Sequence, residues 1–407
     1  MGRGMKFYKI AIAMLIATAV PAVANASESA ESAELIEVKQ ELKQIKEKLT
    51  EIDKAKASSV SVNGAVRVNY SLKDYDADNE ARNGDIDLDV FRLELNGTIN
   101  DIIFSAQYRW HKYMDTIHHA YVGYQFDDNW QGQVGITRVP FGNLSFNSNN
   151  YFFSTNFYVG LEDDYDAGIK FIGNYDKHDI RIAYFKNDEL GGIDGYVDDK
   201  TGRYSYDVVG TRDLNSEGIY GTPGQGLAED STLNLRYAYH FENFEVGASI
   251  LAGSLESENG DAGDHTAYAI HSKGNVGNFG FMFQYTNYEY DLDDGADFVT
   301  VGAYAFYDTI PAEADTYTFN LSYSVPVEIG PISDFTFYND YSLMTNKSGD
   351  LNEDTVMNVS GVMATAGSLY VLFDYASGQN QPFLGGSLAG DSTETNHQFN
   401  VNVGFYF

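Results

Sequence analysis

From Val60 onward apolar and polar residues alternate with a period of two, segment after segment, and no other feature of the chain restricts its fold so sharply. Val62, Val66, Val68 and Tyr70 alternate with Asn63, Arg67 and Asn69. Phe104, Ala106, Tyr108 and Trp110 alternate with Ser105, Gln107, Arg109 and His111. Leu233, Leu235, Tyr237 and Tyr239 alternate with Thr232, Asn234, Arg236 and Ala238, and Tyr317, Phe319, Leu321 and Tyr323 with Thr318, Asn320 and Ser322. A strand sends successive side chains to opposite faces. Repeated dyads between turns predict an all-β chain: a transmembrane antiparallel β-barrel, apolar outside and watery inside. The closing stretch, FNVNVGFYF, follows the same rule. Phe399, Val401, Val403, Phe405 and Phe407 share one face and Gln398, Asn400 and Asn402 the other. Its last residue is expected at a membrane interface.

The connections sort into two kinds. Short turns are expected at Asn100-Asp101, Asp127 to Asn129, Asp176-Lys177, Glu242-Asn243, Gly277-Asn278 and Ala366-Gly367. Long acidic, Gly-rich connections are expected at Lys73 to Arg82, Asn187 to Asp230, Glu256 to Asp264, Asp291 to Asp297 and Gly378 to Ser392. Short turns at one rim and long loops at the other fit an outer-membrane barrel. Counting segments gives about 17, where a single-chain bacterial barrel has an even number. With Val299 to Tyr307 assigned to an inward loop, the reading is 16 strands, with 18 as the alternative.

The first residues predict export. Arg3, Lys6 and Lys9 precede an apolar run from Ile10 to Val20, and Ala24-Asn25-Ala26 offers a cleavage site, so residues 1–26 read as a signal peptide. No later stretch is apolar for long enough to form a membrane-spanning helix. Cleavage would remove three of the 26 basic residues and none of the 59 acidic ones, leaving a net charge of −36. Such a chain is unsuited to nucleic acid. It has no Cys, which excludes disulfides, thiolate metal sites and cysteine nucleophiles. The loop acids Asp74, Asp76, Asp78 and Glu80, or Asp291, Asp293, Asp294 and Asp297, do not match a twelve-residue calcium loop and read as solvated charge, with a divalent cation site or bridge as the alternative.

Between export signal and barrel, residues 27–59 carry a heptad seam. Leu35, Val38, Leu42, Ile45, Leu49 and Ile52 recur at spacings of three and four among Glu and Lys. A short helical coiled coil joining identical subunits is expected, or else a lone amphipathic helix, with Ala55 to Ser59 as a hinge. The barrel domain then spans residues 60–407.

The connection from Val139 to Asp164 stands apart: VPFGNLSFNSNNYFFSTNFYVGLEDD is aromatic and Asn-rich, with little charge before its end. It suits an inward loop, near 139–164, better than an exposed one. Packing between subunits and an aromatic slide for sugars are the alternatives. The inward reading has its rings against the wall and offers Asn143, Ser145, Asn147, Asn149, Asn150 and Tyr151 to a channel.

Here the residues resemble a known family. Gly135-Ile-Thr-Arg-Val-Pro-Phe-Gly142, preceded by Ala120-Tyr-Val-Gly-Tyr124, is similar to a stretch of the phosphate-selective porin O and P family of Gram-negative outer membranes. The resemblance implies a 16-stranded homotrimeric porin with a loop folded into each pore. Arg138 stands where that family usually has Lys. Phosphate selectivity does not carry over, because its phosphate binders use dense inward clusters of Arg and Lys.

Arg67, Arg109, Arg138, Lys170 and Arg236 are the candidate channel-lining cations. Charge on the lipid face costs ~2–4 kcal/mol at mid-bilayer, so they should face water. No Gly-x-Ser-x-Gly or Gly-Lys signature is present, and His118 and His119, adjacent on a strand, are expected on opposite faces. No catalytic residue, metal site or cofactor is implied. The expectation is a channel for passive diffusion of small hydrophilic solutes and ions; an anion or phosphate channel is the alternative, and an enzyme or adhesin barrel ranks lower. Expected partners are outer-membrane lipids and, through the final strand, the barrel-assembly machinery.

Overall fold

The computed structural model describes residues 40–48, 58–193, 195, 197, 199–212 and 222–407. Two units separate, Met1–Ser59 and Val60–Phe407. In the first, residues 40–48 form an exposed helix that includes Leu42 and Ile45. The rest of the heptad, the export segment and most of the hinge lie outside the described residues.

The second unit is a closed antiparallel barrel of 16 strands, not 18. Its wall begins with β1 (Ser59–Lys73), β2 (Asp85–Ile99), β3 (Ile102–Trp110), β4 (Asp115–Gln125), β5 (Trp130–Arg138), β6 (Tyr165–Tyr175) and β7 (His178–Asp188). Two short strands, β8 (Asp207–Thr211) and β9 (Gln225–Gly226), leave the wall. It resumes with β10 (Ala228–His240), β11 (Phe244–Ser257), β12 (Gly260–Val276) and β13 (Phe279–Leu292). The hairpin β14 (Phe298–Ala303) and β15 (Phe306–Pro311) leaves it again, before β16 (Glu313–Ile329), β17 (Ile332–Thr345), β18 (Thr355–Ala366), β19 (Leu369–Gln379) and β20 (Asn396–Tyr406) complete it. The stretch that made the strand count odd is therefore this hairpin, which joins β8 and β9 in a separate four-stranded sheet.

Closure is by β1 on β20, from Ala65↔Tyr406 to Lys73↔Gln398. Gly64 and Phe407 extend the seam with reciprocal backbone bonds of 2.9 and 3.1 Å. Glycine is required there: a Cβ on Gly64 would sit 2.5 Å from the Phe407 ring and 2.7 Å from the Arg92 carbonyl oxygen.

The short turns gather at one rim. Asn100 and Asp101 take φ of 50° and 70°, the left-handed pair that matches strand twist in a two-residue hairpin. One expected long loop is absent: Glu256 to Asp264 is a hairpin, with β11 and β12 running to Ser257↔Gly260. Gly260, at φ 106°, permits that tight closure where composition suggested a loop. The loop acids Asp76 and Asp78 also have local work. Asp76 caps the short helix Ala77–Ala81 and Asp78 lies in its first turn.

Alternation becomes two surfaces. Leu233, Ile250, Ile270 and Phe319 point outward and are about half exposed, whereas Arg236, Gln284, Thr286 and Asn400 point inward and are buried. So much outward apolar area exceeds what a protein in water carries and fits lipid. At the short-turn rim, aromatic pairs form between Phe126 and Phe171, Phe241 and Phe244, and Phe279 and Tyr323, as in the girdles of membrane barrels. The main apolar core lies inside: Val208, Val299, Val301 and Ile310 of the luminal sheet pack with Phe157, Tyr158 and inward Leu251 and Leu255.

Candidate functional site

The segment Val139–Asp164 leaves β5 and returns to β6 through a neck closed by Val139 N–H donating to the Asp164 carbonyl at 2.9 Å. Gly142 starts its inward course at φ 58°, where a Cβ would lie 2.1 Å from Gln284 Oε1. Its amide donates to Ser249 Oγ (3.1 Å) and its carbonyl accepts from Arg236 Nε (2.8 Å). The segment then follows the inner wall. Asn143 N–H donates to Gln284 Oε1 (2.8 Å), Asn147 Nδ2 to Thr318 Oγ1 (2.8 Å), and Asn320 Nδ2 to the Asn147 carbonyl (2.5 Å). Asn149 and Asn150 give four bonds to Asp340, and Tyr151 N–H donates to Asp374 (3.2 Å).

The orientation of the amides is the reverse of the one expected. Asn143, Asn147, Asn149 and Asn150 bond to the wall, leaving Ser145 exposed beside Phe146. A polar inner wall offers donors and acceptors that these amides satisfy, and that aromatic rings could only bury at a cost. The rings divide: Phe152 packs on Met357, Val359 and Ala376 of the wall, as expected, while others turn to the luminal sheet and its flanking loop. Phe153 stacks on Phe157 at 4.1 Å, and Phe157 and Tyr158 meet Tyr204 and Tyr206. Glu162 fastens the returning arm by accepting from Asn147 N–H (2.8 Å), Ser154 N–H (3.1 Å) and Ser154 Oγ (2.5 Å). Burial pushes its carboxyl up to about 7, with those bonds acting against the shift.

The cations have unequal roles. Arg236 is a buried strut, paired with Asp179 at 3.1 Å and Glu245 at 2.8 Å while it holds Gly142. Lys170, also buried, donates to the Arg138 carbonyl at 2.7 Å. Arg138 pairs with Asp163 at 2.6 Å and donates to Tyr165 Oη at 2.7 Å. Arg67 pairs with Asp89 at 2.8 Å, beside a small aromatic box that includes Tyr113, Tyr151, Phe157 and Phe383. Arg109 donates to Gln107 at 2.6 Å and lies 4.1 Å over Tyr204.

Sequence reading missed Arg92. It is the cross-strand partner of Arg109, and its guanidinium lies 4.4 Å over the Tyr406 ring. Among the described residues neither Arg92 nor Arg109 has a carboxylate within 4.0 Å, and Arg92 Nε has no hydrogen-bond partner. Glu94, the nearest acid on the same strand, is engaged by Asn96 and Gln107. Arg92 was hidden because outward exposure changes parity along β2, from Ile86 and Leu88 to Leu93 and Leu95. The histidines need a correction for a similar reason. Gln107 pairs with His119 but Tyr108 with Ile117, so His118 is an extra residue on β4. The bulge turns both rings inward, and their Nδ1 atoms lie 2.9 Å apart.

At the short-turn side of the loop a cavity of ≈ 470 Å³ is lined by Asn149, His240, Glu245, Lys273, Asn275 and Ser322, among others. The site thus joins a polar vestibule, a bolted loop and a row of guanidinium groups.

Comparison with known proteins agrees with this geometry. The family model described as phosphate-selective porin O and P matches residues 60–207. No curated protein sequence matches the chain. Among solved structures, OmpT of Vibrio cholerae in its trimer form is 13% identical over 86% of this chain and 100% of that one, with TM-score 0.54. The anion-selective porin from Comamonas acidovorans is 13% identical over 86% and 100%, with TM-score 0.56. Salmonella typhi OmpF is 12% identical over 86% and 98%, with TM-score 0.56. At these identities the likeness is one of fold.

Proposed function

We propose that the chain is an outer-membrane porin, a non-enzymatic water-filled channel for passive diffusion of small hydrophilic solutes and ions. One observation carries this reading: an Asn-rich loop is bolted to the polar inner wall of a closed barrel whose outer wall is apolar. The family match over residues 60–207 supports it. On this reading residues 1–26 direct export and are removed, and residues 27–59 form a periplasmic segment. Three barrels associate, as the trimer form of the Vibrio cholerae neighbour suggests. Arg67, Arg109 and Arg138 line the passage, with Ser145 at its edge. Purified protein in a planar bilayer should give stepwise currents; silence from folded, heat-modifiable protein would overturn the proposal.

The Arg92–Arg109 pair favours a second reading, anion preference at the constriction. Much of the acid lies in the loops, and a charge farther than ~8 Å from the passage is largely screened at physiological salt. The acidic loops of a processed chain with a net charge of −36 would then act at the mouths, drawing cations at low salt, while the guanidinium pair acts within. Reversal potentials across a salt gradient, at two mean concentrations, separate the two. Anion preference that grows with salt and is lost in Arg92→Gln/Arg109→Gln supports the pair. Cation preference at both, unchanged by that variant, returns selectivity to the mouths.

A further inference from the structure

The strongest unassigned feature is a group of carboxylates on the long-loop side. Asp164 ends the inward loop, Asp166 is the second residue of β6, and Asp207 opens β8 of the luminal sheet. Each is buried, and one carboxylate oxygen from each lies within 4.8 Å of the other two. Asp188, Glu189 and Glu229 are close by. The cation placed among them is Arg203, which is fully buried and pairs with Asp188 (2.9 Å), Glu189 (3.4 Å) and Asp207 (2.5 Å). Arg203 thus answers one side of the group.

Asp166 is what Arg203 leaves over. The residue is 1% exposed, and its Oδ1 has no hydrogen-bond partner. The charges that act on it most strongly, from Asp164, Asp207, Glu229 and Glu189, are negative. A buried carboxylate oxygen with neither donor nor cation is costly. Three converging oxygens supply what is missing: calcium binds oxygen at ~2.3–2.6 Å, so ligands on opposite sides of one ion stand up to ~5 Å apart. The three donors are all hard carboxylates, which selects against copper, zinc and other softer ions. Beside Asp164 and Glu229 a small space of ≈ 10 Å³ lies next to His265 and Gly160. That is about the room a single ordered water needs.

We propose that Asp164, Asp166 and Asp207 bind a divalent cation of the calcium class, which ties the returning end of the inward loop to the luminal sheet. The site is distinct from the exposed loop acids, whose side chains are solvated or cap turns. It does not rest on channel activity, and its test reads no current.

The protein, refolded in detergent without lipopolysaccharide and stripped with EGTA, is titrated with CaCl₂ by calorimetry, with MgCl₂ as competitor. One calcium per chain is expected, at a dissociation constant on the order of 10⁻⁴ M or tighter, within or below the range of extracellular sites. Asp166→Asn should abolish that event. In EGTA it should leave the protein at least as heat-stable as the parent, because it removes a repelled charge. Asp164→Asn, tested alongside, should also lose the event, so a folding failure in one variant leaves the other to decide. The proposal is overturned if the parent binds no calcium, if magnesium displaces it at equal concentration, or if folded Asp166→Asn binds as the parent does. The last result would assign the calcium to the exposed loops.

Discussion

Replacing Asp340 should loosen the inward loop without opening the barrel. Asp340 lies on β17 at 3% exposure and accepts four bonds from the loop: Asn149 N (2.6 Å), Asn149 Nδ2 (2.8 Å), Asn150 N (3.0 Å) and Asn150 Nδ2 (2.8 Å). At about 1.5 kcal/mol each, the low end for a charged acceptor, these come to roughly 6 kcal/mol. Water entering the space left by Asp340→Ala re-solvates the freed amides, so about half, ~3 kcal/mol, is the expected local loss. That shifts the ratio of docked to undocked loop by roughly a hundredfold. The neighbouring anchors at Thr318, Asn320 and Asp374 stay in place, which confines the effect to the loop's middle. Asp340→Asn keeps one acceptor oxygen but loses the charge, so it should fall between parent and Ala. The assay is single-channel recording, joined to limited proteolysis of the loop in folded protein. Larger or noisier conductance and new cleavage near Asn149 are expected, in the order Ala, Asn, parent. Unchanged conductance and protection in folded Asp340→Ala would refute the view that the wall carboxylate holds the loop.

Two further outcomes follow from the same structure. Deleting Phe407 removes both backbone bonds to Gly64 and the ring that covers it, so the yield of folded, heat-modifiable protein should fall; normal yield would refute a closing role for this residue. Asp308 of β15 is buried and accepts from Leu388 N–H at 3.4 Å, and burial raises its carboxyl from 3.8 to about 7, against the pull of Ser387 and Arg212. Below pH 3.8 the group is protonated whether the segment is docked or not; from there to about 7 only the undocked carboxyl ionises. Docking of the segment around Leu388 should therefore weaken as pH rises through that window, by at most ~4 kcal/mol, and stay flat above it. Hydrogen exchange at Leu388 and Ala389 would show this, and Asp308→Asn should remove the pH dependence.

The wall was legible because its signal is local. Period two needs only neighbours, and β20 shows it without interruption. What escaped is what breaks the period or comes from afar. One extra residue at His118 turned two histidines to the same face, and the change of parity before Leu93 concealed Arg92. Arg203 and Asp207 sat in a stretch that reads as a long acidic loop, yet β8 pairs with β14, some ninety residues on, inside the barrel. No periodicity marks such a partner. The Asn-rich segment was recognisable as inward, but its orientation depended on the chemistry of a wall it reaches only in the folded chain.

That orientation has a consequence for the passage. A barrel with a polar lining cannot be filled by an apolar plug alone, because the plug would strand the lining's donors and acceptors. The inward segment resolves the conflict in two layers. Its amides satisfy the wall at Gln284, Thr318 and Asp340, and its rings face a second apolar core built with Val208, Val299 and Ile310. Two-layer filling occupies the side of the lumen formed by β11, β13, β16 and β17. On the proposed function, water and ions pass nearer the strands that carry Arg67, Arg92, Arg109 and Arg138. Of these, Arg67 and Arg138 are answered by Asp89 and Asp163, at 2.8 and 2.6 Å. Arg92 and Arg109 keep their charge uncompensated by any close carboxylate among the described residues. Two guanidinium groups at cross-strand distance stay mutually repelled, and stacking on Tyr406 and Tyr204 holds them in place. An anion passing between them relieves that repulsion, while a cation adds to it. On the proposed anion reading, a chain whose composition is strongly acidic thus sets two guanidinium groups, without a close carboxylate among the described residues, side by side on its inner wall.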